Sequence, residues 1–250
     1  MLPPSRDVAV VIPARNESDR IGATVKAAAG LPGVDIVVVV DDGSADATAA
    51  EAQNAGASVM RHARNRGKAA AMETGAEAVR LLEAGQGPAG PHHLLFLDGD
   101  LAETAGEAAP LAAPVRAGQA DMTIAVFSNR VKQGGHGLVV ALSGSGIMRA
   151  TGWRPAQPLN GQRCLTRAAF EAATPLAHGW GAETGLTIDL LRQGMRVVEV
   201  EVPLSHRATG RDWRSQLHRA RQFADVARAL ASRQPGARGP SPRAVPPERE

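Results

Sequence analysis

The sequence predicts an α/β protein built around a mostly parallel β-sheet. Short apolar runs alternate with helical patterns over the first hundred residues, which is typical of parallel strands joined by crossover helices. The runs are continuously apolar rather than alternating, as expected for strands buried on both faces. The 250 residues, of which 44% are hydrophobic and 21% charged, suffice for the core of one large domain.

In the first half, strands and helices are predicted in strict alternation. Val8–Pro13 and Val34–Val40 are the clearest strands, and Ser18 is a candidate N-cap for a helix that ends at Gly30. The remaining predicted elements of this half are a helix over Ala45–Gly56, a strand over Ser58–Arg61, a helix over Lys68–Ala84 and a strand over Leu94–Leu97.

The second half is less regular. Its predicted elements are a strand over Asp121–Phe127, helices over Leu138–Arg149 and Gly185–Gln193, a strand over Val197–Val202 and a basic amphipathic helix over Asp212–Arg233. Residues 234–250 are rich in proline and arginine and cannot build a core, so a disordered tail is predicted there.

Composition excludes several classes of protein. Aromatic residues make up only 3% of the chain and tyrosine is absent, which disfavours a nucleic-acid partner bound by base stacking. Cys164 is the only cysteine, so neither an internal disulfide nor a cysteine zinc site is expected. The N-terminus lacks the apolar core of a signal peptide, and a cytoplasmic protein is predicted.

Charge is unevenly distributed along the chain. The formal net charge is only +3, yet residues 205–233 carry seven arginines against Asp212 and Asp225. This basic segment is expected to face phosphate groups of a ligand or of an anionic membrane surface.

Acidic and polar residues follow three of the predicted strands. The segments are Ala14–Glu17, Asp41–Ser44 and Asp98–Asp100. Ligands of open α/β sheets bind beyond the carboxyl ends of the strands, so these residues predict a binding site there. Clustered carboxylates repel one another unless a cation compensates, and hard oxygen ligands suit Mg²⁺ or Mn²⁺.

Four motifs in this order resemble the nucleotide-sugar half of family 2 glycosyltransferases of the GT-A fold. They are VVIPARNE (10–17), VVDDGSADAT (39–48), NRGKAAA (65–71) and LDGDL (97–101). The resemblance implies one catalytic domain over residues 1–233. A Rossmann-like nucleotide-binding half, about 7–101, would be joined to a mixed acceptor half, 102–233.

The same resemblance implies roles for individual residues on the donor side. Asp42 would accept a hydrogen bond from the base, and Lys68 would neutralise the diphosphate at a helix start. The other implied donor-binding residues are Pro13, Arg15, Glu17, Asp98, Arg207 and Arg211. Asp98 and Asp100 would form the metal-binding DXD pair, completed by His206, with Asp100 contacting the metal.

Three later motifs resemble the acceptor half of glucosyl-3-phosphoglycerate synthases and their relatives. They are PLNGQRCLTR (158–167), GWGAETGLTIDLLRQG (179–194) and EVPLSHRATGRD (201–212). The resemblance implies that Asn160, Gly161, Gln162 and Glu183 contact the acceptor. Glu183 would orient its hydroxyl or act as general base.

Two departures from this pattern bear on the acceptor. GGHGLVV replaces an Arg-Val-Thr turn ahead of the helix at Leu138, and Ala208 replaces an asparagine. Both changes remove phosphate-binding groups, which argues against phosphoglycerate as the acceptor.

The function implied is metal-dependent transfer of a sugar from a nucleotide diphosphate sugar, with UDP favoured, to a small-molecule or lipid-phosphate acceptor.

One alternative is a polyprenyl-phosphate glycosyltransferase in peripheral contact with the inner membrane face, through Leu138–Met148 and the arginine-rich helix. Another is a retaining enzyme like the phosphoglycerate synthases. A non-catalytic nucleotide-binding module is the alternative from another class. A nucleotidyltransferase is disfavoured because Ala14–Glu17 contains no glycine.

Overall fold

The computed structural model describes residues 7–85, 90–127, 137–204 and 213–233, the last range without side chains before residue 221. Within these ranges the strands are β1 (Val8–Ala14), β2 (Val34–Asp41), β3 (Ser58–Arg61), β4 (His93–Phe96), β5 (Met122–Phe127), β6 (Arg163–Leu165) and β7 (Val197–Val202). The helices are α1 (Ile21–Ala29), α2 (Thr48–Asn54), α3 (Lys68–Ala84), α4 (Ala109–Arg116), α5 (Gly137–Thr151), α6 (Arg167–Ala173), α7 (Ala182–Arg192) and α8 (Trp213–Ala231). Short 3-10 segments cover Ala102–Ala108 and Gly179–Gly181.

The described strands form one sheet in the order β3-β2-β1-β4-β6-β5-β7. The first four of these pair in parallel, β6 runs antiparallel to both β4 and β5, and β7 pairs in parallel with β5. The predicted mixed α/β architecture is therefore confirmed. Because β4 and β6 are hydrogen-bonded neighbours, the end of the DXD strand lies beside the segment that enters β6.

Helices cover both faces of the sheet. Val8, Val10 and Ile12 of β1 point into a core shared with α1 and α4, while Ala9 and Val11 point into a second core shared with α3, α6 and α7. This alternation explains why the strand is continuously apolar, since each face is covered.

A third layer forms where α5 and α8 pack on α7. Ile147 of α5 and Ile188 of α7 share a small core, and a side chain at Gly146 would collide with Leu230 of α8. None of the helices in the described ranges has the length and apolar character needed to cross a membrane.

Most predicted elements are confirmed, with differences at their ends. Ser18 is not the N-cap of α1, because that helix starts at Ile21 and its N-terminus has no side-chain cap. The backbone N–H of Ser18 instead donates to Asp46 Oδ2. Helix α7 starts three residues earlier than predicted, so Glu183 lies in its first turn and not in a preceding loop.

Candidate functional site

Two loops at the carboxyl edge of the sheet are joined by hydrogen bonds. The N–H of Asn16 donates to Ser44 Oγ, and the N–H of Glu17 donates to Thr48 Oγ1, each at 2.9 Å. Asn16 Oδ1 accepts from the N–H of Ala45 at 2.9 Å, and Asn16 itself has a positive φ of 56°. The segment with the expected donor residues Pro13, Arg15 and Glu17 is thus held against the end of β2. Arg15 is exposed.

Asp42 is committed to its own loop. Its Oδ1 lies 2.7 Å from His62 Nδ1 and accepts the N–H of Arg66 at 2.7 Å, while Oδ2 accepts the N–H of Gly67 at 2.8 Å. The carboxylate is buried. The expected hydrogen bond from the base to Asp42 stays a prediction. The geometry makes Asp42 the residue that shapes the loop leading to Lys68.

The turn after β4 is anchored from helix α1. Thr24 Oγ1 donates to the carbonyl of Gly99 at 2.9 Å and accepts the N–H of Ala102 at 2.8 Å. Arg20 Nη1 donates to the carbonyl of Asp100 at 3.1 Å. A fixed turn is what a DXD pair needs, because its carboxylates must present their oxygens in one direction.

The expected donor and acceptor residues meet in one group, here named the Lys68 cluster: Lys68, Asp98, Gln162 and Glu183. Lys68 Nζ lies 2.6 Å from Asp98 Oδ1 and 3.2 Å from Glu183 Oε1. Gln162 Nε2 donates to Asp98 Oδ2 at 2.7 Å. The side chains of Lys68 and Asp98 are 25% and 28% exposed, whereas that of Glu183 is only 4% exposed. The cluster is therefore open on the side of Asp98 and Lys68.

Electrostatics keep the Lys68 ammonium charged. Burial alone would lower the pKa of Lys68, but the carboxylates of Asp98 and Glu183 outweigh it, and the pKa lies above its ordinary value. The sequence predicted that converging carboxylates need a cation, and in this structure Lys68 supplies that charge for Asp98 and Glu183.

Gly161 is required by this arrangement. A Cβ at Gly161 would collide with Lys68 Nζ and approach Asp98 Oδ1 to 3.2 Å. The neighbouring Asn160 is buried and donates through Nδ2 to the carbonyl of Ala125 at 2.8 Å. Of the predicted acceptor residues, Gln162 and Glu183 thus belong to the cluster and Gly161 borders it, while the Asn160 side chain anchors the turn that carries Gly161 and Gln162.

The donor set at the DXD turn fits a hard divalent cation in part. Both Asp98 oxygens have partners in Lys68 and Gln162. Asp100 is the candidate ligand that the resemblance to the DXD motif implies, and it stays a prediction. In the described ranges no three His, Cys, Asp or Glu side chains group closely enough to hold a metal. One or two carboxylates suit Mg²⁺ or Mn²⁺ when substrate phosphates complete the coordination. His206, Arg207, Arg211 and the tail 234–250 lie outside the described residues.

Sequence reasoning missed two side chains behind the cluster. His62 holds Asp42, and the fully buried Arg163 bonds the turn before β6 to helix α7. No local pattern marks these roles, because the partner of His62 at Asp42 and that of Arg163 at Glu183 each lie 20 residues away in the chain.

Comparison with known proteins agrees with the fold and the motifs. The family model for glycosyl transferase family 2 matches residues 9–159. A glucosyl-3-phosphoglycerate synthase of Mycolicibacterium paratuberculosis is 29% identical over 201 residues, covering 74% of this chain and 60% of that protein. An uncharacterised protein of Methanocaldococcus jannaschii is 43% identical over 75 residues, 30% of each chain. The chain thus spans less than two thirds of these curated relatives.

Solved structures show the same similarity. The glucosyl-3-phosphoglycerate synthase of Mycobacterium tuberculosis in complex with Mn²⁺, UDP and phosphoglyceric acid has a TM-score of 0.68 at 26% identity, covering 91% of this chain and 78% of that one. The same enzyme with Mn²⁺, UDP-glucose and glycerol 3-phosphate has a TM-score of 0.66 at 26% identity, covering 91% and 80%. With the family model covering more than half of it, the chain belongs to glycosyl transferase family 2 and has the GT-A fold.

Proposed function

We propose that this protein transfers a sugar from a UDP-sugar to the hydroxyl group of a small-molecule acceptor, with Mg²⁺ or Mn²⁺ as cofactor. The observation that carries the proposal is the Lys68 cluster. Lys68 is the cation expected at the diphosphate, and its Nζ lies 2.6 Å from the DXD aspartate Asp98 and 3.2 Å from the expected acceptor carboxylate Glu183. Solved relatives bind Mn²⁺ with UDP or UDP-glucose.

Each residue has a proposed role at the reacting bond. Asp98 and Asp100 of the DXD motif and His206 of the last acceptor-half motif would hold the metal. When bound, the metal supplies Lewis-acid stabilisation of the leaving diphosphate. Lys68 offers positive charge where negative charge develops as the anomeric C–O bond to the diphosphate breaks. Arg15, Arg207 and Arg211 are proposed as further donor contacts from the flanking segments.

Glu183 is proposed to orient the acceptor hydroxyl. Its carboxylate lies 3.2 Å from Lys68 Nζ beside the open part of the cluster, and carboxylate oxygens accept strong hydrogen bonds from hydroxyl groups. In an inverting reaction Glu183 would take the hydroxyl proton as the oxygen bonds to the anomeric carbon. In a retaining reaction the proton would pass to the leaving diphosphate. NMR of the product anomer distinguishes the two.

The acceptor is a separate question, because the phosphate-binding groups named above are missing from the sequence. A panel of 3-phosphoglycerate, glycerol 3-phosphate, a simple sugar and a polyprenyl phosphate, each with UDP-glucose and Mn²⁺, tests the candidate classes by UDP release. Turnover only with the polyprenyl phosphate would replace the small-molecule acceptor by the lipid alternative.

The donor assignment is tested by thermal unfolding with UDP-, GDP- and dTDP-sugars, with and without Mn²⁺. A ligand at 100 times its Kd stabilises a protein by roughly 2.7 kcal/mol. We expect a clear rise in Tm only with the UDP-sugar, and a larger one with Mn²⁺. The absence of any nucleotide-dependent shift would refute the proposal.

A further inference from the structure

Arg163 is a fully buried arginine directly behind the Lys68 cluster. It is the first residue of β6, between Gln162 of the cluster and the core residue Cys164. Within the described part of the chain it makes no ion pair. Burial lowers the pKa of Arg163 to about 10, so the guanidinium remains positively charged at neutral pH.

The guanidinium joins two segments that are distant in sequence. Towards the turn before β6, Nε donates to the carbonyl of Asn160 at 2.8 Å and Nη2 donates to that of Pro158 at 3.0 Å. Towards α7, Nη1 donates to the carbonyl of Glu183 at 3.1 Å and to Thr187 Oγ1 at 2.9 Å. Thr187 Oγ1 in turn donates to the carbonyl of Glu183 at 2.8 Å.

Both segments carry side chains of the Lys68 cluster. The turn continues into Gln162, which bonds Asp98, and the first turn of α7 carries Glu183, which bonds Lys68. No other side chain in the described ranges bonds both the 158–160 turn and the first turn of α7. A planar guanidinium with several fixed N–H directions suits this task better than an ammonium group.

Burying a charge costs desolvation free energy, so a fully buried arginine is expected to have a structural or functional role. The oxygens that accept its hydrogen bonds are neutral, and the Glu183 and Glu199 carboxylates oppose the effect of burial on it. A buried positive charge thus lies against the first turn of α7, the turn that carries Glu183.

We propose that Arg163 is a positioning residue for the transfer reaction, which sets Glu183 and Gln162 in register with Asp98 and Lys68. The inference rests on the proposed function. It assigns to Arg163 an effect on turnover and little effect on donor binding, because Arg163 touches none of the expected donor contacts directly.

The test compares Arg163→Lys with Arg167→Lys. Arg167 is a matched control, since it is also buried, bonds the carbonyl of Ala76 and Glu83 Oε1, and lies outside the Lys68 cluster. Turnover is measured as UDP released from UDP-glucose with Mn²⁺, with whichever panel acceptor is active or with water. Binding of UDP with Mn²⁺ is measured by calorimetry.

We expect kcat of Arg163→Lys to fall about 100-fold, as small displacements of catalytic groups cause, with the Kd of UDP changed less than about 3-fold. Arg167→Lys should keep kcat within about 3-fold of wild type. Equal kcat in the two variants would overturn the inference. So would a loss of UDP binding in Arg163→Lys that accounts for its loss of turnover.

Thr187→Val keeps the test decisive if Arg163→Lys does not fold. Valine has nearly the same shape, and the substitution removes only the hydroxyl that links Arg163 to the carbonyl of Glu183. We expect about a 10-fold fall in kcat without a change in the Kd of UDP. Thr174→Val, which removes a hydroxyl bonded to the carbonyl of Phe170 at the end of α6, should leave kcat unchanged. Unchanged kcat in Thr187→Val would overturn the inference. Failure of the wild-type protein to bind UDP-sugars would instead refute the proposed function.

Discussion

Helix α3 connects two charged clusters at opposite edges of the sheet, and the two differ in how completely their charges are enclosed. The Lys68 cluster lies at the first residue of α3. Near the last turn lies the second group, here named the His92 cluster: Asp35, Glu83, His92 and Arg167. His92 lies 2.9 Å from both Asp35 Oδ1 and Glu83 Oε1, and Arg167 Nη2 donates to Glu83 at 2.8 Å.

The composition of the two clusters is similar, since each combines two carboxylates with positively charged or polar partners. The His92 cluster is closed: its side chains are between 4% and 15% exposed. In the Lys68 cluster, two of the charged side chains are about one quarter exposed. Closed clusters stabilise contacts between elements, whereas open ones can exchange protein partners for a ligand. The predictions below separate stability from activity on this basis.

The largest effect is expected from Asp100→Asn in the DXD turn. Removing the candidate metal ligand should lower kcat about 1000-fold, corresponding to several kcal/mol of transition-state stabilisation. The Tm without ligand should stay within a few degrees of wild type. UDP release measured over a range of Mn²⁺ concentrations checks this, and full activity would remove Asp100 from the metal site.

Glu83→Gln in the His92 cluster should lower the stability of the fold and leave turnover close to wild type. The change removes the carboxylate that pairs with both Arg167 and His92. Loss of a buried ion-pair partner should lower the free energy of unfolding by about 3 kcal/mol. Denaturant unfolding should show this loss, while kcat should stay close to wild type. A large fall in kcat in the folded variant would contradict the separation of the two clusters.

Gly161→Ala should perturb the Lys68 cluster from its backbone side. The new methyl group would collide with Lys68 Nζ, so the ammonium must move away from Asp98. We expect roughly a 10- to 100-fold fall in kcat. Gly137→Ala is the control, because a Cβ there meets nothing within 4 Å. Equal activity of the two variants would show that the position of Lys68 does not matter.

The smallest expected effect concerns pH. Burial raises the pKa of Glu199, whose Oε1 accepts the N–H groups of Ala156 and Gln157. A carboxyl whose folded-state pKa is raised destabilises the fold as pH rises through that pKa. Glu199→Gln should therefore gain Tm relative to wild type at pH 8, with a smaller gain at pH 4. An equal gain in Tm at both pH values would exclude the raised pKa of Glu199 as the cause.

The sequence predicts the donor side of the fold well, because its signals are local. Apolar runs in strands such as Val34–Val40 and the glycine ahead of Lys68 are each recognised within a few residues, and the observed α3 agrees with the helix predicted from about Lys68 to Ala84. The carboxyl edge follows from the parallel order of β1, β2 and β4.

What the sequence could not show are pairings between distant segments. Asp98 and Glu183 are 85 positions apart in the numbering, and their shared bond to Lys68 depends on β6 lying beside β4. The contacts of Asp42 with the His62 ring and with the backbone N–H groups of Arg66 and Gly67 likewise join segments 20 or more residues apart. Only the folded loop decides which partners a carboxylate meets.

Binding of UDP with Mn²⁺, measured by calorimetry, tests most directly whether the Lys68 cluster is the ligand site. The wild-type protein and Glu83→Gln should bind with similar Kd, whereas Lys68→Met and Asp100→Asn should bind at least about 10-fold more weakly. Undiminished binding in both of these variants, or a loss of binding confined to Glu83→Gln, would contradict the account.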